Sequence, residues 1–174
     1  KLIFMGGEFG QFIEWKYRES LDWHLLDYPL HAKLHEYVRT LNHLYLKQHP
    51  LWQDDFSWEG FNWIDPHDSS QSVISFIRKG KDPKQFVIII CNFTPEVRYD
   101  YRIGVPFEGA YTEILNSDAL EFGGSGQINC PKLFSQKLPW HNLPYSICLK
   151  LPPLAVTYLC LCPEVTEGQT SSIG

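Results

Sequence analysis

Methionine is almost missing from this chain of 174 residues. The only one is Met5, inside an apolar run, and the first residue is Lys1. A natural start is not expected there, so the sequence reads as a piece of something longer, whose targeting signals would lie elsewhere. Lys1-Leu-Ile-Phe4 runs straight into glycines and acids, which a secretory leader does not do. No apolar stretch approaches the ~20 residues of a membrane span. Basic excess is lacking too: 15 Lys and Arg stand against 20 Asp and Glu, a net charge of -5. That excludes the basic stripe a nucleic-acid partner needs. The five cysteines, Cys91, Cys130, Cys148, Cys160 and Cys162, are odd in number and contain no Cys-x-x-Cys pair. They read as buried or half-buried reduced thiols of a cytoplasmic protein, not as a zinc site or a disulfide framework.

Aromatics, by contrast, are abundant, with 6 Trp, 9 Tyr and 11 Phe. Flat rings stack on sugars and also fill cores, so composition alone does not separate the two uses. Leu2 to Met5 is a short continuous apolar run that stops at Gly6-Gly7, the pattern of a strand buried on both faces. Glu8 to Tyr28 has no clean period and reads as a loop with a short helical turn. A helix then follows. Asp27 is the expected N-cap, Pro29 sits in the first turn, and Pro50 ends it. Leu30, Leu34, Tyr37, Val38, Leu41, Leu44 and Tyr45 form its apolar stripe. Strand, loop and helix make one βα unit.

After Pro50 the pattern changes. Segments 60–64, 72–78, 86–93, 98–103, 111–115, 146–151 and 155–162 are β-branched or aromatic. They are bounded by turn clusters such as Asp65-Pro-His-Asp68 and Lys79-Gly-Lys-Asp-Pro83. Many short strands without a second helical stripe predict an antiparallel sandwich. The boundary is expected near Leu51 to Phe56, giving residues 1–50 and 51–165. Residues 166–174 read as a disordered tail.

If residues 2–5 are a barrel strand, the loop after it lies on the face where barrel enzymes build their sites. That loop carries Glu8, Gln11, Glu14, Trp15, Arg18, Asp22 and Trp23. Acids and amides bond sugar hydroxyls, and tryptophans stack on pyranose faces; the same residues could equally pack the loop or sit in solvent. Glu8 and Asp22 as a glycosidase pair is disfavoured, since one loop rarely supplies both carboxylates. Gly6-Gly7 and Gly10 lack the Lys-Ser/Thr of a phosphate loop. Gly123-Gly-Ser-Gly126 reads as a flexible hairpin tip. His31 and His35 share a helix face, but Ala32 stands where a zinc protease has Glu, so exposed histidines are expected. Asn92-Phe-Thr94 fits a glycosylation sequon, yet at the end of an apolar strand it reads as a turn. Trp52, Trp58, Trp63 and Trp140 are the tryptophans of the β region, and Trp63, inside a strand, is expected in the core.

Leu2-Ile-Phe-Met-Gly-Gly-Glu-Phe-Gly-Gln11, Glu14-Trp15 and Ser20-Leu-Asp-Trp-His-Leu-Leu26 closely resemble the last barrel strand and following loop of the 1,4-α-glucan (glycogen) branching enzymes of the α-amylase superfamily. The resemblance continues through Val38-Arg-Thr-Leu-Asn42, Gly60-Phe-Asn-Trp-Ile-Asp65, Ser72-Val-Ile-Ser-Phe76, Asn92-Phe-Thr-Pro95, Glu113-Ile-Leu-Asn-Ser-Asp118 and Leu151-Pro-Pro-Leu-Ala155. It implies a mainly β fold: the C-terminal antiparallel β-sandwich of that superfamily, preceded by the last βα unit of a truncated (β/α)₈ barrel. It also implies a parent that cleaves α-1,4 glucan and transfers the segment to a 6-hydroxyl by a retaining double displacement. The family's three catalytic carboxylates lie on earlier barrel strands, and none maps onto this chain. By resemblance, then, Glu8, Gln11, Trp15, Asp22 and Trp23 would form one wall of the α-glucan groove, no metal or cofactor is needed, and the chain alone would be inactive. The partners would be the glucan and the parent's remaining domains. Another α-amylase relative, a free-standing carbohydrate-binding sandwich and a purely structural domain remain as alternatives. The apolar faces of residues 2–46 are expected to be exposed in the chain by itself.

Overall fold

The computed structural model describes residues 2–163, so the expected tail at 166–174 lies outside the described residues. Helix α1 spans Pro29–Lys47. Proline at its first position has a preset φ and no N–H to leave unpaired. The same proline forces the preceding residue into extended backbone, and Tyr28 (φ -95°, ψ 131°) therefore holds the cap position. The expectation that Asp27 caps the helix is thus corrected: Asp27 closes a 3-10 turn, Trp23–Asp27. At the far end the Gln48 N–H bonds the Leu44 carbonyl at 2.8 Å, and the chain turns through His49–Leu51.

Eight strands follow among the described residues: β1 (Phe61–Asp68), β2 (Val73–Lys79), β3 (Phe86–Asn92), β4 (Arg98–Val105), β5 (Ala110–Asn116), β6 (Leu133–Phe134), β7 (Tyr145–Leu151) and β8 (Ala155–Leu161). Six of them form one sheet in the order β1-β2-β3-β8-β5-β6, and β4 pairs with β7 in a second. All pairings are antiparallel. The expected sandwich is present. Between the sheets, Val73, Ile77, Ile88, Ile90, Ile103, Ile147 and Leu159 anchor the main core. On the outer face of the large sheet Leu51, Val87 and Ile89 form a smaller cluster, with Tyr45 of α1 against it. β3 is thus buried on both faces, which explains its unbroken Val-Ile-Ile-Ile run.

Three details differ from the sequence reading. Leu2 to Met5 is not a strand here: Met5 has a left-handed backbone (φ +37°), the Phe4 carbonyl accepts the Gly7 N–H at 2.9 Å in a turn, and none of the strands among the described residues pairs with the run. Leu2 is fully exposed and Ile3 and Phe4 are each 54% exposed. Asp65-Pro-His-Asp68 belongs to β1, which passes two register shifts there. β1 is an edge strand, where a proline that cannot donate is tolerated. The short β6 carries only one apolar pair and escaped notice.

Candidate functional site

The loop from Gly6 to Tyr28 is held down by Phe9, which is fully buried beneath the half-exposed Trp23, with ring centroids 5.1 Å apart. The Phe9 carbonyl accepts a hydrogen bond from His31 Nδ1 at 2.7 Å, and Phe12 sets its edge against the same imidazole. His31 is therefore a loop anchor, not the exposed helix residue expected. Gly6 has φ +86°, and a Cβ there would lie 2.9 Å from Gln11 Cβ and Oε1. Only glycine lets the loop double back so tightly.

Of the five residues singled out, the structure joins two. Gln11 Oε1 accepts the Asp22 N–H at 2.9 Å, while its Nε2 donates to the Ile13 carbonyl at 2.9 Å. The amide is spent on loop geometry. Asp22 Oδ1 pairs with Lys16 Nζ at 2.9 Å, and that hydrogen bond, with one that Lys16 donates to Glu19, raises the lysine's pKa. Trp23 follows directly and is half exposed. Trp15 sits elsewhere, in left-handed backbone (φ +57°), two-thirds exposed and tilted against Phe4 at 5.3 Å. Glu8 lines a separate shallow recess with His35, Arg39 and Asn42 of α1. Glu8 lies in that recess while Asp22 is held by Lys16, so the loop does not join the two as a pair. It is a polar and aromatic surface suited to contact, not to bond cleavage. Lys16 and His31 were missed by sequence reasoning; no motif marks a loop lysine that locks a carboxylate.

Residues 63–161 match the family described as alpha amylase, C-terminal all-beta domain. The chain belongs to that family. It is also 58% identical over 158 residues to the 1,4-alpha-glucan branching enzyme GlgB of Halothermothrix orenii, covering 91% of this chain and 25% of that protein. GlgB of Oceanobacillus iheyensis is 57% identical, over 90% of this chain and 25% of that one. GlgB of Aquifex aeolicus is 53% identical, over 91% and 25%. The chain thus spans about a quarter of the length of the relatives it matches. Among solved structures, an α-amylase from H. orenii aligns with a TM-score of 0.44 at 15% identity, covering 74% of this chain and 20% of that one.

Within the α-amylase C-terminal domain Phe86, Tyr101 and Tyr111 are core residues, whereas the tryptophans lie outside the core. Trp63 is 52% exposed, not buried as expected, because its neighbour Ile64 takes the inward position of β1. It meets Phe61 and its cross-strand partner Phe76 on the outer face, at 5.0 and 5.8 Å. Trp58 and Trp140 are also exposed. Gly123 to Gly126 is not a flexible tip. The buried Asp118 carboxylate accepts the Ser125 N–H and hydroxyl and the Gln127 N–H at 2.7–2.9 Å, pinning the loop. Asn92 forms the expected strand-end turn, bonding Thr94, Glu96 and Pro152. All five cysteines are unpaired; four are half-buried, and Cys130, contrary to expectation, is exposed.

No helix among the described residues is long and apolar enough to cross a membrane, and no group of three or more His, Cys, Asp or Glu there could hold a metal ion.

Proposed function

We propose that this chain is the closing part of a 1,4-α-glucan branching enzyme of glycogen or starch synthesis. In this reading residues 2–50 complete the catalytic barrel and residues 51–165 form the sandwich that braces it. The observation that carries the reading is the identity of 53–58% to three enzymes of that printed name, sustained over about nine-tenths of this chain. The shape of the molecule supports it. Helix α1 has an apolar stripe but no buried residue. Ile3, Val38, Leu41, Tyr45 and Phe76 line an open apolar groove between α1 and the large sheet. Exposed apolar surface of that extent marks a face built for a partner, and the rest of the barrel is the natural one.

The chemistry would then fall to carboxylates outside this chain: a nucleophile forms the glycosyl-enzyme and a second group acts as acid, then base. The loop would contribute contact. Trp23 offers a half-exposed ring, Trp15 a second, more exposed one, and Glu8 an acceptor for sugar hydroxyls, while Gln11, Asp22 and Lys16 hold the loop in shape. Five unpaired thiols suit a reducing cytoplasm.

The test is a chimera in which this chain replaces the matching quarter of the H. orenii enzyme. Branching of amylose, read as loss of iodine colour and as new chain ends after debranching, is expected to persist. The isolated chain should leave amylose untouched. An inactive but folded chimera would overturn the reading, as would turnover by the chain alone.

A further inference from the structure

Cys160 and Cys162 lie two residues apart at the end of β8 and line one open cleft together with Lys47 and His49. Cys160 is paired with Thr112, and the ladder continues past β8, where the Cys162 N–H donates to the Ala110 carbonyl at 2.8 Å. The two thiols therefore project from the same face of an unbroken ladder. Residues so placed have Cα atoms about 6.6 Å apart and side chains running parallel. A disulfide needs Cβ atoms only about 3.5–4.5 Å apart, so the pair cannot close one without breaking the ladder.

The span suits a single ion between the sulfurs. Two metal–sulfur bonds of ~2.3 Å laid end to end reach about 4.6 Å, a separation that rotation about χ1 provides. No third ligand completes a set among the described residues, which excludes a tetrahedral zinc site. A two-coordinate thiolate site selects a soft ion, with Cu(I) the biological example. Charge agrees. Two thiolates and one monovalent cation sum to a single negative charge, and Lys47, whose charge reaches Cys160, offsets it.

We propose that Cys160 and Cys162 form a linear two-thiolate site for a soft monovalent metal ion of the Cu(I) class. On binding, each thiol releases its proton to solvent and each sulfur donates an electron pair to the ion; no oxidation state changes.

The experiment titrates the reduced, full chain with Cu(I) under anaerobic conditions against a coloured competing chelator, with native mass spectrometry for stoichiometry. One equivalent should be retained. Cys160→Ser and Cys162→Ser should each lose at least tenfold in affinity, Lys47→Gln should lose several-fold, and the exposed Cys130→Ser should lose nothing. Circular dichroism of each variant separates loss of the site from loss of the fold. Failure of the wild-type chain to retain the ion overturns the proposal. So does undiminished binding by a folded Cys160→Ser or Cys162→Ser variant.

Discussion

Replacing Asn92 with alanine should cost this chain about 3 kcal/mol. Asn92 ends β3 and is 2% exposed. Its Nδ2 donates to the Glu96 and Pro152 carbonyls, both at 2.8 Å. Its Oδ1 accepts the Thr94 N–H at 3.1 Å and the Thr94 hydroxyl at 2.8 Å. One side chain thus ties the end of β3 to the connection between β7 and β8. The bond to Pro152 is the fully buried one, so that carbonyl bears the whole penalty of an unmet acceptor, about 1–3 kcal/mol. The other groups lie nearer water and lose about 0.5 kcal/mol each, at the low end of a net hydrogen bond. At ~2–4 °C per kcal/mol for a chain of this size, the melting temperature should fall by roughly 6–12 °C. Asn92→Asp keeps the shape but turns an anionic oxygen toward two carbonyls. It should be at least as damaging at neutral pH and recover in part near the carboxyl's ordinary pKa of about 4, where a proton restores one donor. Urea unfolding followed by tryptophan fluorescence gives both numbers. A loss below 1 kcal/mol for the alanine variant, or an aspartate variant milder than it, would refute the reasoning.

His141 Nε2 lies 3.3 Å from Asp65, and its Nδ1 accepts the Gly104 N–H at 3.4 Å; burial lowers its pKa despite Asp65 and Asp68. The unfolded chain therefore takes up this proton first, so stability present above about pH 6.5 is lost as pH falls toward the lower folded value. His141→Asn, which suits the residue's φ of +50°, should flatten that slope in urea midpoints measured from pH 7.5 to 5; an unchanged slope would count against it. Phe9→Ala should release the loop at a cost of about 3 kcal/mol, the low end for a buried phenylalanine, since a surface loop can collapse. Limited proteolysis should then cut between residues 10 and 27, and a variant as resistant as wild type would show that Phe9 is no anchor. Ile3→Lys should change the stability of the chain alone by no more than about 0.5 kcal/mol, yet destabilise the chimera by several times as much, because an unpaired charge would be buried there. Equal effects in the two settings would sink the docking argument.

The strands that the sequence made legible are those whose burial leaves a pattern. β2 and β8 alternate inward and outward residues, and β3 is apolar from Phe86 to Cys91 because both its faces are covered. Trp63 could have been placed correctly by the same logic, since Ile64 beside it must point inward if the strand alternates. Leu2 to Met5 carries the composition of a buried strand, but composition cannot supply the neighbour that hydrogen bonding requires. Pro66 hid the second half of β1, because an edge strand tolerates a residue that reads as a turn. The loop was the least legible part. Gln11 meets Asp22 eleven residues away through a side chain and a backbone N–H, and Asp22 is locked by Lys16. Neither pairing follows a fixed spacing, so residue types pointed to a sugar-contacting surface without separating the contact residues from the braces.

Helix α1 is held by the 6–28 loop through His31 and is fastened to the sandwich along one edge. Tyr37 shares a hydrogen bond with Tyr158 of β8 and sets its ring against Phe122 at 5.3 Å. Lys33 reaches the Leu120 carbonyl at 3.0 Å, and Tyr45 packs on the cluster of Leu51, Val87 and Ile89. The loop through Phe122 is itself rigid, since Asp118 pins it. Sandwich, loop and helix edge therefore form one braced unit. The opposite edge, with Val38 and Leu41, faces the open groove. A free-standing binding sandwich has no use for this arrangement: its core between the two sheets is complete without the helix. The energetics divide accordingly. Loss of an inter-sheet residue such as Ile88 or Leu159 should unfold the whole chain, whereas loss of the Tyr37 or Lys33 contacts should free only the helix. The sandwich thus presents a helix whose groove side is open and apolar.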